Sequence, residues 1–476
     1  MNLRGFFLVI FTLISTILFL NFNSPITVKF SFLLNLILLS FIIIYHLFYE
    51  KDNSPFISSF IVFNFLFFTV APIVQITSFN KRDAPKFVNN YPFEEFTVLY
   101  ANLLIFIFNF IFIVSYIILK TKQQQSSSIY KFNSEKYSAI VIFFILFFCF
   151  LLAVSSYNFV IEDLARPSWM EYKENVSKLL IWKKVLFMIP FGGILLCYDY
   201  LKKKSLKNVN TNSIVVFSSL IFFILLLFWF KNPFTEKRNA LGPIYICFLL
   251  LFLPKIFSNN VKSLSFLFFI MIVLFPLSSI LTHTDATFSE VINNPMILIN
   301  EAKYGGIAKT FNTLHYDAFA NINATINFVS KNGFSLGVQL LSVFLFFVPR
   351  SVWLNKPIST GQLVGEHLID NYNFNFSNLS NPLVSEGYIN FGIFGVIIFA
   401  VLLAFVLVKM LSWFKSSNLS KKIMAFYFAI HLLFLLRGDL TNGYSYYIGT
   451  LIGVVFIPKI ISIFIREIFK INRNVS

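Results

Sequence analysis

The chain has 476 residues, 57% hydrophobic and only 12% charged, whereas soluble domains carry about a quarter charged residues, so a water-soluble globule is excluded. A formal charge of +17 would point to nucleic acid in a soluble protein, but here the Lys and Arg lie mostly in short loops between apolar runs, where the positive-inside rule accounts for them without a nucleic-acid partner. Cys149, Cys197 and Cys247 all lie within apolar runs without ligand spacing, so neither a disulfide framework nor a thiolate metal site is supported.

These observations predict an all-α, polytopic integral membrane protein. A span needs about 20 apolar residues, and runs that can serve lie near 5–22, 30–49, 57–79, 97–119, 138–155, 180–200, 212–230, 240–254, 264–281, 386–411, 423–436 and 445–465. The first follows Arg4 and lacks a small-residue cleavage site, so it reads as a retained span rather than a signal peptide. QQQSSS at 123–128 is a polar linker. Lysines 120, 122, 131 and 136, then 202, 203, 204 and 207, then 255 and 262, then 415, 421 and 422 fall in alternate loops, which should face the cytoplasm. Both termini are then cytoplasmic and the number of spans is even. The apolar stretch FSLGVQLLSVFLFFV at 334–348 would make that number odd. At about 22 Å of helix it is short of the hydrocarbon thickness. It is expected to be a re-entrant or interfacial helix inside one large external region, 282–385, inserted in a single transmembrane domain spanning 1–476.

No GxxxxGK[ST] loop, GxGxxG turn, HExxH helix, C-x-x-C pair or D-x-D pair occurs. The external histidines His283, His315 and His367 are scattered. What remains is a set of cations at span ends on the charge-poor external side: Arg166 in LARPSW, Arg238 in KRNALGP, Arg350 and Lys356 around Trp353 in FFVPRSVWLNKP, and Arg437 in LLRGDL. Each alone reads most simply as an interfacial anchor. Topology does not ask for arginines on this side, however, and the planar guanidinium suits phosphate oxygens. Acids lie at equivalent depth: Glu386 in SEGYINFGIFG and Asp439 just past Arg437. A carboxylate beside arginines suits general-base chemistry on a hydroxyl, with the cations stabilising a departing phosphate. Plain ion pairs that fix loops are the alternative, and both readings place these residues together.

The order of these features resembles the bacterial O-antigen and capsule repeat-unit polymerases of the Wzy type. The specific part is FFVPRSVWLNKP followed by SNPLVSEGYINFGIFG and then RGD, over roughly 345–440. The resemblance implies a GT-C-like membrane glycosyltransferase that works without a metal or other cofactor. It would transfer a glycan repeat unit from undecaprenyl pyrophosphate to a second lipid-linked unit at the periplasmic face of the inner membrane, with a chain-length regulator as a partner. On it Arg350, Lys356, Arg437 and Arg238, with Arg166 a weaker candidate, bind the pyrophosphate. Glu386 or Asp439 is the base or orienter, and Trp353 and Tyr388 offer ring faces to the substrate. An O-antigen ligase, with His367 or His315 as base, shares the chemistry. A flippase or transporter of the same lipid-linked unit shares the size, but would place charges near the midplane, and the spans are almost free of them.

Overall fold

A computed structural model describes residues 3–82, 86–126, 137–165, 181–203, 210–233, 236, 238–274, 294, 296 and 310–468. Among them there is no strand. The helices relevant to the site are α1 (Leu3–Leu20), α2 (Ile26–Tyr49), α3 (Pro55–Asn80), α4 (Glu95–Gln123), α5 (Ala139–Ser155), α6 (Ile181–Lys203), α7 (Thr211–Phe230), α8 (Arg238–Phe252), α9 (Asn260–Leu274), α10 (Ala318–Asn332), α11 (Val338–Phe344), α12 (Thr360–Tyr372), α13 (Leu383–Phe414), α14 (Leu419–Arg437) and α15 (Leu440–Ile468). The described part of each of the twelve apolar runs is largely helical. Nine of these helices are long and apolar enough to cross a membrane, while α5, α8 and α9 are shorter, so length alone gives nine crossings among the described residues rather than twelve. The protein is an integral membrane protein.

Polar residues set the helix starts. Ser138, Asn210, Asn259, Ser359, Asn418 and Asp439 each accept a backbone amide of the first turn, satisfying donors that a helix leaves open. α3 lies at the centre, buried along nearly its whole length and packed on α14 and α9, whereas α1 turns most of its surface outward. α13 runs along α4 and α14, and α6 along α7. Two π-helical turns, Leu66–Val70 in α3 and Ile452–Phe456 in α15, contain the carbonyls of Phe68 and Val454, four residues before Pro72 and Pro458, with which those prolines would clash. A widened turn is the expected response to an interior proline.

α13 is not one continuous helix. Its backbone leaves helical geometry at Phe391 and Gly392, the latter at φ +61°, so a short segment carrying Glu386 precedes the long membrane-crossing part. The two parts touch at Gly387 and Gly395, where an added Cβ on Gly395 would lie 1.9 Å from the Gly387 carbonyl. The carbonyls freed at Ile389 and Asn390 accept the amides of Ser335 and Leu336 at 2.8 and 3.1 Å, and Asn390 Oδ1 accepts Gly337 N at 3.0 Å. These bonds hold 335–337 extended or in a turn. The helix expected over 334–348 is therefore only seven residues, Val338–Phe344, or about 10 Å.

Candidate active site

The candidate carboxylates meet at the N-terminal turn of α15. Asp439 caps it, with Oδ1 accepting Thr441 N at 2.9 Å. The next amide, Leu440 N, donates to Glu386 Oε1 at 3.1 Å, and the Thr360 hydroxyl at the start of α12 donates to the same oxygen at 2.6 Å. Both acids are buried, in a position that the free amides and dipole of a helix N-terminus favour. Glu386 Oε2 is enclosed and has no partner among the described residues, so this oxygen is the one left to accept a hydroxyl. Burial pushes the Asp439 carboxyl up from its ordinary range, and the Ser359 hydroxyl, Thr441 and the charge of Lys184 pull it part of the way back. Gly438 makes the turn possible: φ is +106°, and a Cβ there would lie 1.7 Å from the Asn381 carbonyl.

Arg437, one residue before Gly438, turns to Asp317, which immediately precedes α10. Its Nη2 and Nε donate to Asp317 Oδ1 at 3.0 and 3.2 Å, and Nη2 also to the Leu314 carbonyl at 2.7 Å. Its side chain stays 24% exposed against 2% for Asp317. Asp317 Oδ1 also accepts the Ser380 hydroxyl at 2.9 Å. The acid that pairs with Arg437 is thus Asp317, 120 residues away, and not its near neighbour Asp439.

Arg350 and Lys356 share a loop after α11. The Lys356 ammonium donates to the carbonyls of Leu345, Phe346 and Val348 at 3.1, 2.9 and 3.0 Å, committing its three protons to the backbone. Burial and the adjacent Arg350 charge hold its pKa below the usual lysine range. Arg350 Nη1 donates to the Lys356 carbonyl at 2.8 Å, and the residue is exposed. Trp353 is half-buried, its amide bonded to the Pro349 carbonyl at 3.0 Å. The loop leans on α15, where Phe344 and Phe346 meet the Tyr444 ring edge-on at 5.6 and 6.2 Å. Tyr388 is two residues past Glu386, about 200° round a helix, and its ring packs against Tyr100 at 5.7 Å and Phe334 at 6.0 Å. Arg238 opens α8, but its side chain, like the whole of Arg166, lies outside the described residues.

His367 is buried and committed: Nε2 bonds Asn327 Oδ1 at 2.8 Å, and the Asn371 amide lies 3.3 Å from Nδ1. Among the described residues no three His, Cys, Asp or Glu side chains converge as a metal site would need. Sequence reasoning missed Thr360, Ser359 and Asp317, which lie far from their partners in the chain. It also missed Lys184, near the N-terminal end of α6, which the same argument from cations in the charge-poor loops would have picked out.

Residues 379–467 match the family model described as O-antigen polysaccharide polymerase Wzy, which supports a Wzy-type family. The matched stretch holds Glu386, Tyr388, Arg437 and Asp439, but not Arg350, Trp353, Lys356 or Arg238. No curated protein and no solved structure matches the chain.

Proposed function

We propose that the protein is a polysaccharide polymerase of the bacterial inner membrane. It transfers glycan from undecaprenyl pyrophosphate to the end of another lipid-linked repeat unit at the periplasmic face, without a metal, during O-antigen, capsule or exopolysaccharide synthesis. The observation that carries this reading is the family match over 379–467, which includes the two buried carboxylates gathered at the N-terminus of α15. Glu386, with Oε2 enclosed and unengaged, accepts the proton of the acceptor hydroxyl, and Asp439 orients the site. Arg350, the exposed guanidinium of the loop on α15, binds the departing pyrophosphate, with Arg437 and Arg238 supplying further donors. Trp353 extends this surface, and Arg166 is a further candidate donor. His367, one of the two bases offered by the ligase reading, is committed to Asn327 and Asn371, and the chain-length regulator follows from the same resemblance as the polymerase.

The test is to delete the gene in the source bacterium and examine surface polysaccharide on a gel. Polymerisation predicts a single repeat unit on the acceptor, a ladder restored by the wild type, and loss of that ladder with Glu386→Gln or Arg350→Ala at equal membrane level. General acid–base groups contribute typically 10²–10⁴-fold, so Glu386→Gln should leave about 1% of the polymer or less. If no repeat unit at all reaches the surface, the polymerase reading fails in favour of export or ligation.

A further inference from the structure

Lys184 lies in the N-terminal part of α6 and is 5% exposed. Its ammonium donates to Ser445 Oγ at 2.6 Å and to Asn442 Oδ1 at 3.3 Å, and lies 4.2 Å from the Tyr446 ring centroid. The other end of the same amide, Asn442 Nδ2, donates to Asp439 Oδ2 at 3.3 Å. An amide between an ammonium and a carboxylate is oriented in one sense only, oxygen towards the cation and NH2 towards the anion. The second Asp439 oxygen is fixed by Thr441 N, so both lobes of the carboxylate are held. The chain Lys184–Asn442–Asp439 joins α6 to the catalytic end of α15, across 258 residues of sequence.

We infer that Lys184 is a positioning residue for the transfer reaction, fixing the Asp439 carboxylate through Asn442 beside Glu386. This rests on reading Asp439 and Glu386 as the carboxylates of a glycan transfer. A neutral donor would hold Ser445 and Asn442 without the cost of desolvating a charge; the ammonium's charge bears on the Tyr446 ring and, through Asn442, on Asp439. A cation is useful where a carboxylate must stay ionised in a buried place. The charged and titratable groups around Asp439 are Glu386 of α13 across the turn, Lys184 of α6, and His431 of α14, whose Nε2 donates to the Gly443 carbonyl at 2.8 Å. Burial raises the Asp439 pKa and Lys184 lowers it. Removing the cation therefore moves the acid limb of any activity that needs ionised Asp439 to higher pH.

The experiment uses the full chain in the gene-deleted source strain, with variants matched for membrane level and for thermal midpoint in detergent. The ladder is read from cultures buffered over a series of external pH values, which the periplasm follows. Lys184→Met is expected to cut ladder yield at pH 7 about tenfold, as for a misplaced catalytic group, and to move the acid limb to higher pH. Asn442→Leu should reproduce this in a chain that keeps Lys184, Lys184→Arg should restore most of the yield, and Lys184→Met should add little to Asp439→Ala. If Lys184→Met and Asn442→Leu lower yield without moving the pH profile, or lose the same amount on top of Asp439→Ala, Lys184 is a structural anchor. The inference is then overturned while the polymerase reading stands. If Asp439→Ala builds a full ladder, Asp439 has no part in the transfer and the inference falls with it. A deletion strain that keeps its ladder overturns the polymerase reading itself.

Discussion

Lys356 spends on its own backbone the three hydrogen bonds that the sequence reading assigned to phosphate. Its bonds to Leu345, Phe346 and Val348 close the loop that presents Arg350, so the two cations of FFVPRSVWLNKP have different tasks. Lys356→Met leaves three carbonyls without their donor, at about 1–3 kcal/mol for each one that stays out of water. The loop should then open more often, and limited trypsin digestion of the purified protein should cut after Arg350 about tenfold faster, since 1.36 kcal/mol is tenfold in population. Position 356 precedes Pro357, so the substitution removes no ready trypsin site. An unchanged rate would mean that Lys356 does not hold the loop. At the same scale, geometry alone does not make a catalyst. His46 bonds Ser58 Oγ at 2.8 Å through Nε2 and Glu50 Oε2 at 2.5 Å through Nδ1, which are nucleophile–base–orienter distances. Yet Ser58 and His46 are fully buried, and both serve to tie α2 to α3.

That histidine belongs to a buried ionic knot among helix ends. The π-helical turn Tyr45–Tyr49 sets His46 beside Glu50, and Glu50 Oε1 also accepts from Tyr116 and Lys120 of α4, both at 2.7 Å. Asn260 of α9 donates to the carbonyls of His46, Glu50 and Asp52, while Asp52 pairs with Lys120 and with Lys415 beyond α13. Burial opposes the charge on Glu50, but His46 and Lys120 outweigh it and hold its pKa below the ordinary 4.5. A depressed carboxylate contributes stability that is present above its unfolded pKa and lost as the pH falls through its folded value. The thermal midpoint in detergent should therefore fall as the pH drops below about 4.5. Glu50→Gln should lower the midpoint at pH 7, since breaking a buried pair costs about 3–5 kcal/mol, and should flatten its acid dependence. An equally steep acid loss in the variant would place the sensitive group elsewhere. None of this knot was legible in the sequence, because its members are short polar interruptions of apolar runs. The break in α13 was hidden likewise: 386–411 reads as one span, and only backbone geometry shows that SEGYINFGIFG builds a folded-back start that carries Glu386.

Across the whole molecule, hydropathy made the membrane class and the helical runs legible, because a bilayer demands long apolar helices whatever their partners. The motifs also brought Glu386 and Asp439 into view, and the fold places them at one turn. The pairings were not legible, since Arg437–Asp317 and Lys184–Asn442 are separated by 120 and 258 residues and leave no local period. Orientation rests on the lysines of alternate loops, and the knot of Glu50, Asp52, Lys120 and Lys415 is consistent with it by gathering the 50–54, 120 and 415 turns at one end. The carboxylate site is built from residues that this orientation assigns to the opposite, external end: the 437–444 turn, the start of α12 and the outer end of α6. The scheme predicts that single cysteines in a cysteine-free background, placed at 125 in the polar linker and at 417 between α13 and α14, are shielded from a membrane-impermeant maleimide in intact spheroplasts. Cysteines at 376 after α12 and at 354 in the Arg350 loop should be labelled. Leu354 and Phe376 are both exposed, so burial would not mask them. Labelling at 417 together with 376 would put both ends of α13 on one side. It would remove α13 as a crossing, whereas shielding at 376 and 354 would take the two carboxylates away from the external face, on which transfer between two lipid-linked units depends.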